Sequence, residues 1–278
     1  MELFCLIFFV KKNLDIPKNL YYIRYNMNHD TIQMDFISSA MKEPTLTQPS
    51  FLDRNGKVNL KSNPTYHSVD KFFNSLDRDA IERHTSYWEK LKPTTVVGKF
   101  RRWIFAFCSV HTSWQSNVKG YNALKDYDKW ITNDKELMRR LKKCGCGLYN
   151  NRQRFLSKFS KQFFDNPDFF EKKKDESWVE FRNRLVPEIL GLQKAKTSFA
   201  LELLHPLEAQ VFCADVHLFR FYGLNQSKDY GKYEQIESHW LNMCKMWNVP
   251  PYIARAIRWN QIQDKPICDY WAWCLKKN

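Results

Sequence analysis

From Ser68 onward, apolar residues recur at three- and four-residue spacing, the period of a helix with one buried face. This patterning predicts helices over 70–76, 80–88, 135–143, 151–164, 177–189, 196–204, 216–222, 233–247 and 251–262. A longer apolar stretch over 99–124 holds Trp103, Ile104, Phe105 and Phe107 and is broken by the polar turn His111-Thr112-Ser113. Gly145, Gly147, Pro167, Gly191, Pro206 and Gly223 punctuate the series. Alternation with period two is nearly absent, so the expected class is mainly α.

The first 67 residues break this pattern. MELFCLIFFV is apolar but too short to span a bilayer, and it lacks the basic flank and small-residue cleavage site of a signal peptide. From Lys11 to Pro64 the text is polar and aperiodic, interrupted by Pro17, Pro44, Pro49 and Asn55-Gly56, which reads as a poorly structured extension over 1–67. Met27, Met34 and Met41 are alternative starts. These features predict a protein that is neither secreted nor inserted in a membrane, acting inside the cell in cytoplasm or nucleus.

Charge narrows the partner. Lys and Arg total 44 against 30 Asp and Glu, a formal net charge of +14. Such a balance suits a polyanion, since each neutralised phosphate releases counterions. Aromatic residues make up 16% of the chain and supply rings for stacking on bases as well as for the core. The eight cysteines lie largely in apolar runs, as in Ala106-Phe107-Cys108 and Val211-Phe212-Cys213, and read as buried thiols of a reducing compartment. Cys144-Gly145-Cys146 is too tight for a zinc-type pair and has no second pair to complete it. Only Cys268 and Cys274 have a gap suited to an iron–sulfur cluster, with Cys244 too far upstream, so no metal or cofactor is expected.

The segment LVPEILGLQKAKTSFALELLHPLEAQVFCADVHLFRFY, Leu185 to Tyr222, carries the candidate chemistry. A turn around Gly191 leads to Lys196 at the start of one apolar-periodic segment; 19 positions later, Asp215 of Asp-Val-His opens another. Asp before a helix is a preferred cap, which does not compete with a catalytic role. A lysine that acts as nucleophile must shed its proton, and both burial and the positive end of a helix favour that. His217 reads as structural, since no partner ligands lie in range.

These residues resemble the helix-hairpin-helix DNA glycosylase superfamily, the relatives of endonuclease III and 8-oxoguanine glycosylase. The family hairpin is roughly L-P-G-[IV]-G-x-K, against Leu190-Gly191-Leu192-Gln193-Lys194-Ala195-Lys196 here. Gln193 replaces the second glycine and the lysine register shifts by one, leaving Lys194 as the competitor of Lys196. Asp-Val-His matches the family's D-[TV]-H. Gly147-Leu-Tyr-Asn150 with Arg152 and Arg154 resembles a G-[LF]-Y-x-x-K-A helix start, and Cys108-Ser-Val-His-Thr-Ser113 an L-S-x-Q-T-[ST] turn whose wedge position holds His111. The resemblance spans about Ser68 to Trp259.

It implies a two-lobed helical domain over 68–278, with a central lobe near 99–224 and a second lobe from 68–98 plus 225–278, closing on a cleft. It implies a monomeric enzyme that excises a flipped base from duplex DNA. Lys196 forms a Schiff base that supports lyase chemistry, and Asp215 offsets the developing sugar cation. Gly191, Gln193, Lys194, His111, Arg152 and Arg154 contact DNA, with Arg182, Arg184 and Arg220 as further phosphate candidates. Two alternatives stay open: a bacteriophage-type thymine-hypermodifying enzyme on the same scaffold, or a catalytically silent DNA-binding protein.

Overall fold

A computed structural model describes residues 63–263 and Cys274, and upstream of these only Phe4–Cys5 and Ile23–Arg24. The chain divides into two compact units, residues 1–58 and 59–278. In the first, the described residues are two short strands, β1 (Phe4–Cys5) and β2 (Ile23–Arg24), paired antiparallel with Phe4 opposite Arg24 and Cys5 opposite Ile23. The expected extension over 1–67 otherwise lies mostly outside the described residues. Its last few residues are docked rather than loose: Pro64 is buried, and the Thr65 N–H donates to the Tyr222 carbonyl at 2.9 Å.

The second unit is helical. Its elements are α1 (His67–Asn74), α2 (Arg78–Glu89), α3 (Val96–Cys108), α4 (Trp114–Leu124), α5 (Asp134–Cys144) and α6 (Tyr149–Asp165), then α7 (Trp178–Leu185), α8 (Lys194–Leu204), α9 (Val216–Phe221), α10 (Gln226–Asp229), α11 (Tyr233–Met246) and α12 (Pro251–Ile262). The mainly α class is as the periodicity predicts. The 99–124 stretch divides where expected: Thr112 Oγ1 donates to the Cys108 carbonyl at 2.7 Å and closes α3, while the Ser113 hydroxyl accepts from Ser116 N–H and opens α4. The helix expected over 177–189 stops at Leu185, because Pro187 has no N–H to continue the ladder. Among the described residues, three 3₁₀ turns (Tyr127–Lys129, Pro167–Phe170 and Tyr230–Lys232) and the four-residue α10 were not anticipated; elements that short carry no period.

α3 explains why the core is where it is. Phe100 and every residue from Arg102 to Cys108 are buried, and the helix packs against α4, α6 and α8. Over Trp103–Cys108 the helix is apolar on every side, and such a stretch belongs inside. Phe100, Trp103, Phe159, Phe163 and Phe170 form a continuous ring cluster with neighbouring centroids 5.3–6.1 Å apart. Elsewhere α2 packs on α12, and α7 on α8.

Two buried ion pairs then fix the segment that leads into α9. Arg182 on α7 bonds Glu237 on α11 at 2.5 Å, and that carboxylate also accepts from the Phe212 N–H at 3.0 Å. Arg255 on α12 grips Glu202 on α8 at 3.1 and 2.5 Å, and Glu202 accepts from the Cys213 N–H at 3.0 Å. The Tyr233 hydroxyl donates to the Phe212 carbonyl. Residues 211–214 are fully buried, so these bonds satisfy backbone groups that would otherwise lack partners.

Candidate active site

The heads of α8 and α9 open on one cavity of about 1170 Å³. Lys196, half-buried in the first turn of α8, and Asp215, the cap of α9, both line it. Gln193 precedes α8 and its side chain makes no cap bond, while its carbonyl accepts from the Lys196 N–H at 3.0 Å. Asp215 accepts from the N–H groups of His217 and Leu218 at 2.9 and 3.1 Å, both on Oδ1, which leaves Oδ2 outside the cap. Lys196 Nζ lies 5.5 Å from the centre of the Phe199 ring.

The walls are aromatic. Trp88 and Tyr87 come from α2, Trp114 from α4, Phe199 from α8, and Tyr252 and Trp259 from α12. Trp259 is braced edge-on by His217, with centroids 5.3 Å apart. Beneath, the Arg255 guanidinium lies 5.2 Å from Phe199 and 5.1 Å from Tyr252. Burial opposes its charge, but Glu202 foremost, with Cys213 and Tyr252, offsets that, so Arg255 remains a cation. Burial pushes the Glu202 carboxyl up while Arg255 draws it back; the two-pronged geometry is that of an ionised pair. His84 spans α2 and α12: Nδ1 donates to the Ala80 carbonyl at 2.8 Å, so Nε2 is left to accept from the Asn260 amide at 2.9 Å. Desolvation lowers the His84 pKa, which matches this neutral ring.

Of the residues predicted from sequence, Lys196, Asp215, Gly191, Gln193 and His111 all border this cavity. Gly191 has φ +92°, and Phe155 of α6 packs directly against it. His111 is exposed and has φ +50°, a left-handed conformation that costs a non-glycine residue about 1–2 kcal/mol. Lys194 points elsewhere and pairs with Glu234 on α11. Arg154 is exposed, 5.2 Å over the Phe155 ring that abuts Gly191.

Arg152 corrects the sequence reading. It is buried, and its guanidinium donates to the carbonyls of Gly147 (2.9 Å), Phe107 and Val110 (2.6 Å). With its donors spent on the protein, Arg152 anchors α6 to the end of α3 and does not present itself to a phosphate. Arg182 and Arg184 are likewise committed, the first to Glu237 and the second to Glu176 and the carbonyls of Phe169 and Glu171. The aromatic walls were missed in the sequence, though Tyr252, Arg255, Ala256, Trp259 and Asn260 share one face of α12 by helical spacing. Among the described residues, no group of three or more His, Cys, Asp or Glu is placed to hold a metal ion. No described helix is long and apolar enough to cross a membrane.

No family model matches the sequence, and no curated protein does. Solved structures do. The 8-oxoguanine DNA glycosylase of Methanocaldococcus jannaschii aligns at 19% identity over 73% of this chain and 99% of that one, with a TM-score of 0.57. A structure of the 8-oxoguanine glycosylase/lyase of the same organism, in complex with a 15mer DNA containing 8-oxoguanine, aligns at 19% identity with a TM-score of 0.56, covering 72% and 98%. The 8-oxoguanine DNA glycosylase of Thermotoga maritima aligns at 18% identity with a TM-score of 0.57, covering 72% and 99%. At these identities the likeness is one of architecture, and the chain has the helical fold of the 8-oxoguanine DNA glycosylases.

Proposed function

We propose that the protein is a DNA base-excision glycosylase with AP lyase activity, acting through Lys196. One observation carries the reading: a lysine and an aspartate at the heads of two helices open on the same aromatic-walled cavity. That cavity is at or above the range of about 300–1,000 Å³ usual for ligand clefts, which leaves room for an extruded nucleotide together with its sugar.

In this scheme duplex DNA is bent and a nucleotide is flipped out, at least cost when the base is damaged or mispaired. The base enters between the aromatic walls. The Lys196 amine attacks the sugar C1′, the N-glycosidic bond breaks, and the base departs with the bond's electron pair. Asp215 offsets the positive charge that develops on the sugar. The bound nitrogen gives up a proton, the C1′–O4′ bond opens with O4′ taking a proton, and a protonated Schiff base forms. This acidifies C2′, and loss of a C2′ proton drives β-elimination in which the 3′ C–O bond breaks and the phosphate leaves. His111 fills the gap left in the duplex. The Gly191 turn, Gln193, Lys194 and Arg154 take the phosphates, with Arg220 beside them. Arg152 has no part in this contact.

The test is incubation with duplexes bearing 8-oxoguanine, an oxidised pyrimidine, uracil or an abasic site, followed by borohydride trapping. The names of the similar structures make 8-oxoguanine the first arm. A trapped adduct on any of them supports the lyase, and free base without an adduct reduces the proposal to a monofunctional glycosylase. Binding with neither adduct nor free base overturns it.

A further inference from the structure

The Cys144-Gly145-Cys146 segment has no place in the chemistry above, yet its two cysteines flank a single left-handed glycine at the junction of α5 and α6. Cys144 ends α5 and is half-buried; Gly145 follows in the left-handed conformation at φ +64°, and Cys146 is buried behind it. As a thiol, Cys144 donates to the Leu141 carbonyl at 3.2 Å. As a thiolate it takes its strongest support from the Cys146 S–H, then from the N–H groups of Cys146 and Cys144, with Arg152 adding a favourable charge. Partial burial works against the anion, and on balance the Cys144 pKa falls below the usual thiol range while that of Cys146 rises. Cys108 approaches from α3: a Cβ on Gly120 would meet Cys108 Sγ at 3.1 Å and Cys146 Cβ at 3.4 Å. Burial holds Cys108 as a thiol, pushed up to about 12.

We propose that Cys144 and Cys146 are a redox-active dithiol that closes to an intramolecular disulfide on meeting a small-molecule disulfide. Two residues in sequence span at most about 7 Å between Cα atoms when extended, and the turn at Gly145 shortens this into the range of about 4.4–6.8 Å that a disulfide accepts. The Cys144 thiolate attacks one sulfur of the external disulfide; that S–S bond breaks and one thiolate leaves. The departing thiolate takes the Cys146 proton, Cys146 attacks the Cys144 sulfur, and the second thiolate leaves and is protonated by solvent. In sum, two protein thiols are oxidised to one disulfide and the reagent is reduced to two thiols. Burial of Cys146 shields it from the reagent and leaves Cys144 as the entry point. The ring abuts the cavity's scaffold, because the Gly147 carbonyl next to Cys146 is one of the three that Arg152 ties to the turn before His111.

The experiment treats the full-length reduced protein with glutathione disulfide at neutral pH, quenches with an alkylating reagent and reads the tryptic peptide 144–152 by mass. The expected result is a peptide that loses two hydrogens and takes up no alkylating group. In Cys146→Ser the intermediate has no resolving thiol, so the same peptide should carry one glutathione on Cys144. In Cys144→Ser neither product should form at peptide 144–152. Alkylation of both cysteines in the parent after treatment overturns the proposal. So does a Cys146→Ser protein in which Cys144 stays free, or a Cys144→Ser protein in which Cys146 takes glutathione at the parent's rate.

Discussion

Phe155 of α6 occupies the space in front of Gly191, so that a Cβ on Gly191 would lie 2.2 Å from Phe155 Cδ2. The hairpin turn is therefore locked twice, by a backbone angle of +92° that L side chains rarely adopt and by a ring pressed against its Cα. Gly191→Ala should destabilise the fold by about 1–2 kcal/mol from the left-handed backbone and by about 1–3 kcal/mol more from overpacking. Thermal melts of the single variant and of Gly191→Ala with Phe155→Ala check this. The steric part should disappear in the double variant, giving a non-additive pair; additive losses would mean that the ring is not the obstacle.

Lys196 and Lys194 separate cleanly in space although two residues apart in sequence. Lys196 borders the cavity, and Lys194 pairs with Glu234 on α11. Lys196→Ala should abolish the borohydride-trapped adduct while leaving duplex binding close to that of the parent. Lys194→Ala should retain the adduct and lose some affinity. The reverse pattern would move the nucleophile to Lys194 and would require the Glu234 pair to open on binding DNA.

Much of this site was legible in the sequence because its signals are local. Helix periodicity marked α8, α9 and α12, and Gly191 and Asp215 announced a turn and a cap by residue type alone. Arg152 was misread because its partners, Phe107 and Val110, are 45 and 42 residues upstream. On α6 it falls in a polar stretch beside Arg154, which does face solvent, and only packing against the end of α3 distinguishes them. The aromatic walls failed for a related reason. Tyr252 and Trp259 form an ordinary apolar stripe on α12, and a stripe that lines a cavity is written like a stripe that fills a core.

The same contrast gives a test of binding. Arg154→Glu should weaken duplex affinity for every sequence alike and make the dependence on salt shallower by about one unit of slope, the signature of one lost phosphate contact. Arg152→Ala should instead act on stability. It strips three carbonyls, two of them beside buried α3, of a charged donor, at a cost on the order of 3 kcal/mol. Denaturant melts and binding isotherms on both variants distinguish the roles; a stable Arg152→Ala protein with selectively weakened DNA binding would restore the phosphate role.

Acid should loosen the contact between α2 and α12 before it reaches the carboxylates. Desolvation lowers the pKa of His84 from 6.5 in the folded state, as it does for His205 and His239. A histidine with a depressed folded pKa binds more protons when unfolded, so its contribution is intact above pH 6.5 and is lost as pH falls through the folded value. Glu136 and Glu176 have folded pKa values lowered by their arginine partners, so their contributions are lost only below 4.5. Melting temperature should therefore fall in two stages, the first below pH 6.5. His84→Gln, which keeps a polar group facing Asn260 but cannot take the ring's proton, should shrink the first stage; an unchanged profile would exclude His84 from it.

Asp215→Asn isolates charge from shape at the second proposed catalytic position. Both cap bonds, from His217 and Leu218, fall on Oδ1, and an asparagine carbonyl accepts them equally well. The variant should therefore melt close to the parent and keep α9 in place. What it loses is the negative charge that, in the proposed reaction, faces the sugar as the base departs. Removing one such electrostatic contact costs on the order of a hundredfold or more in rate, and the loss should appear in single-turnover excision with duplex affinity little changed. Asp215→Ala adds a control, since it also removes the cap and should lower stability by about 1 kcal/mol. If Asp215→Asn excises its base as fast as the parent, the aspartate is a helix cap alone, and charge stabilisation of the sugar cation must come from another group on the cavity wall.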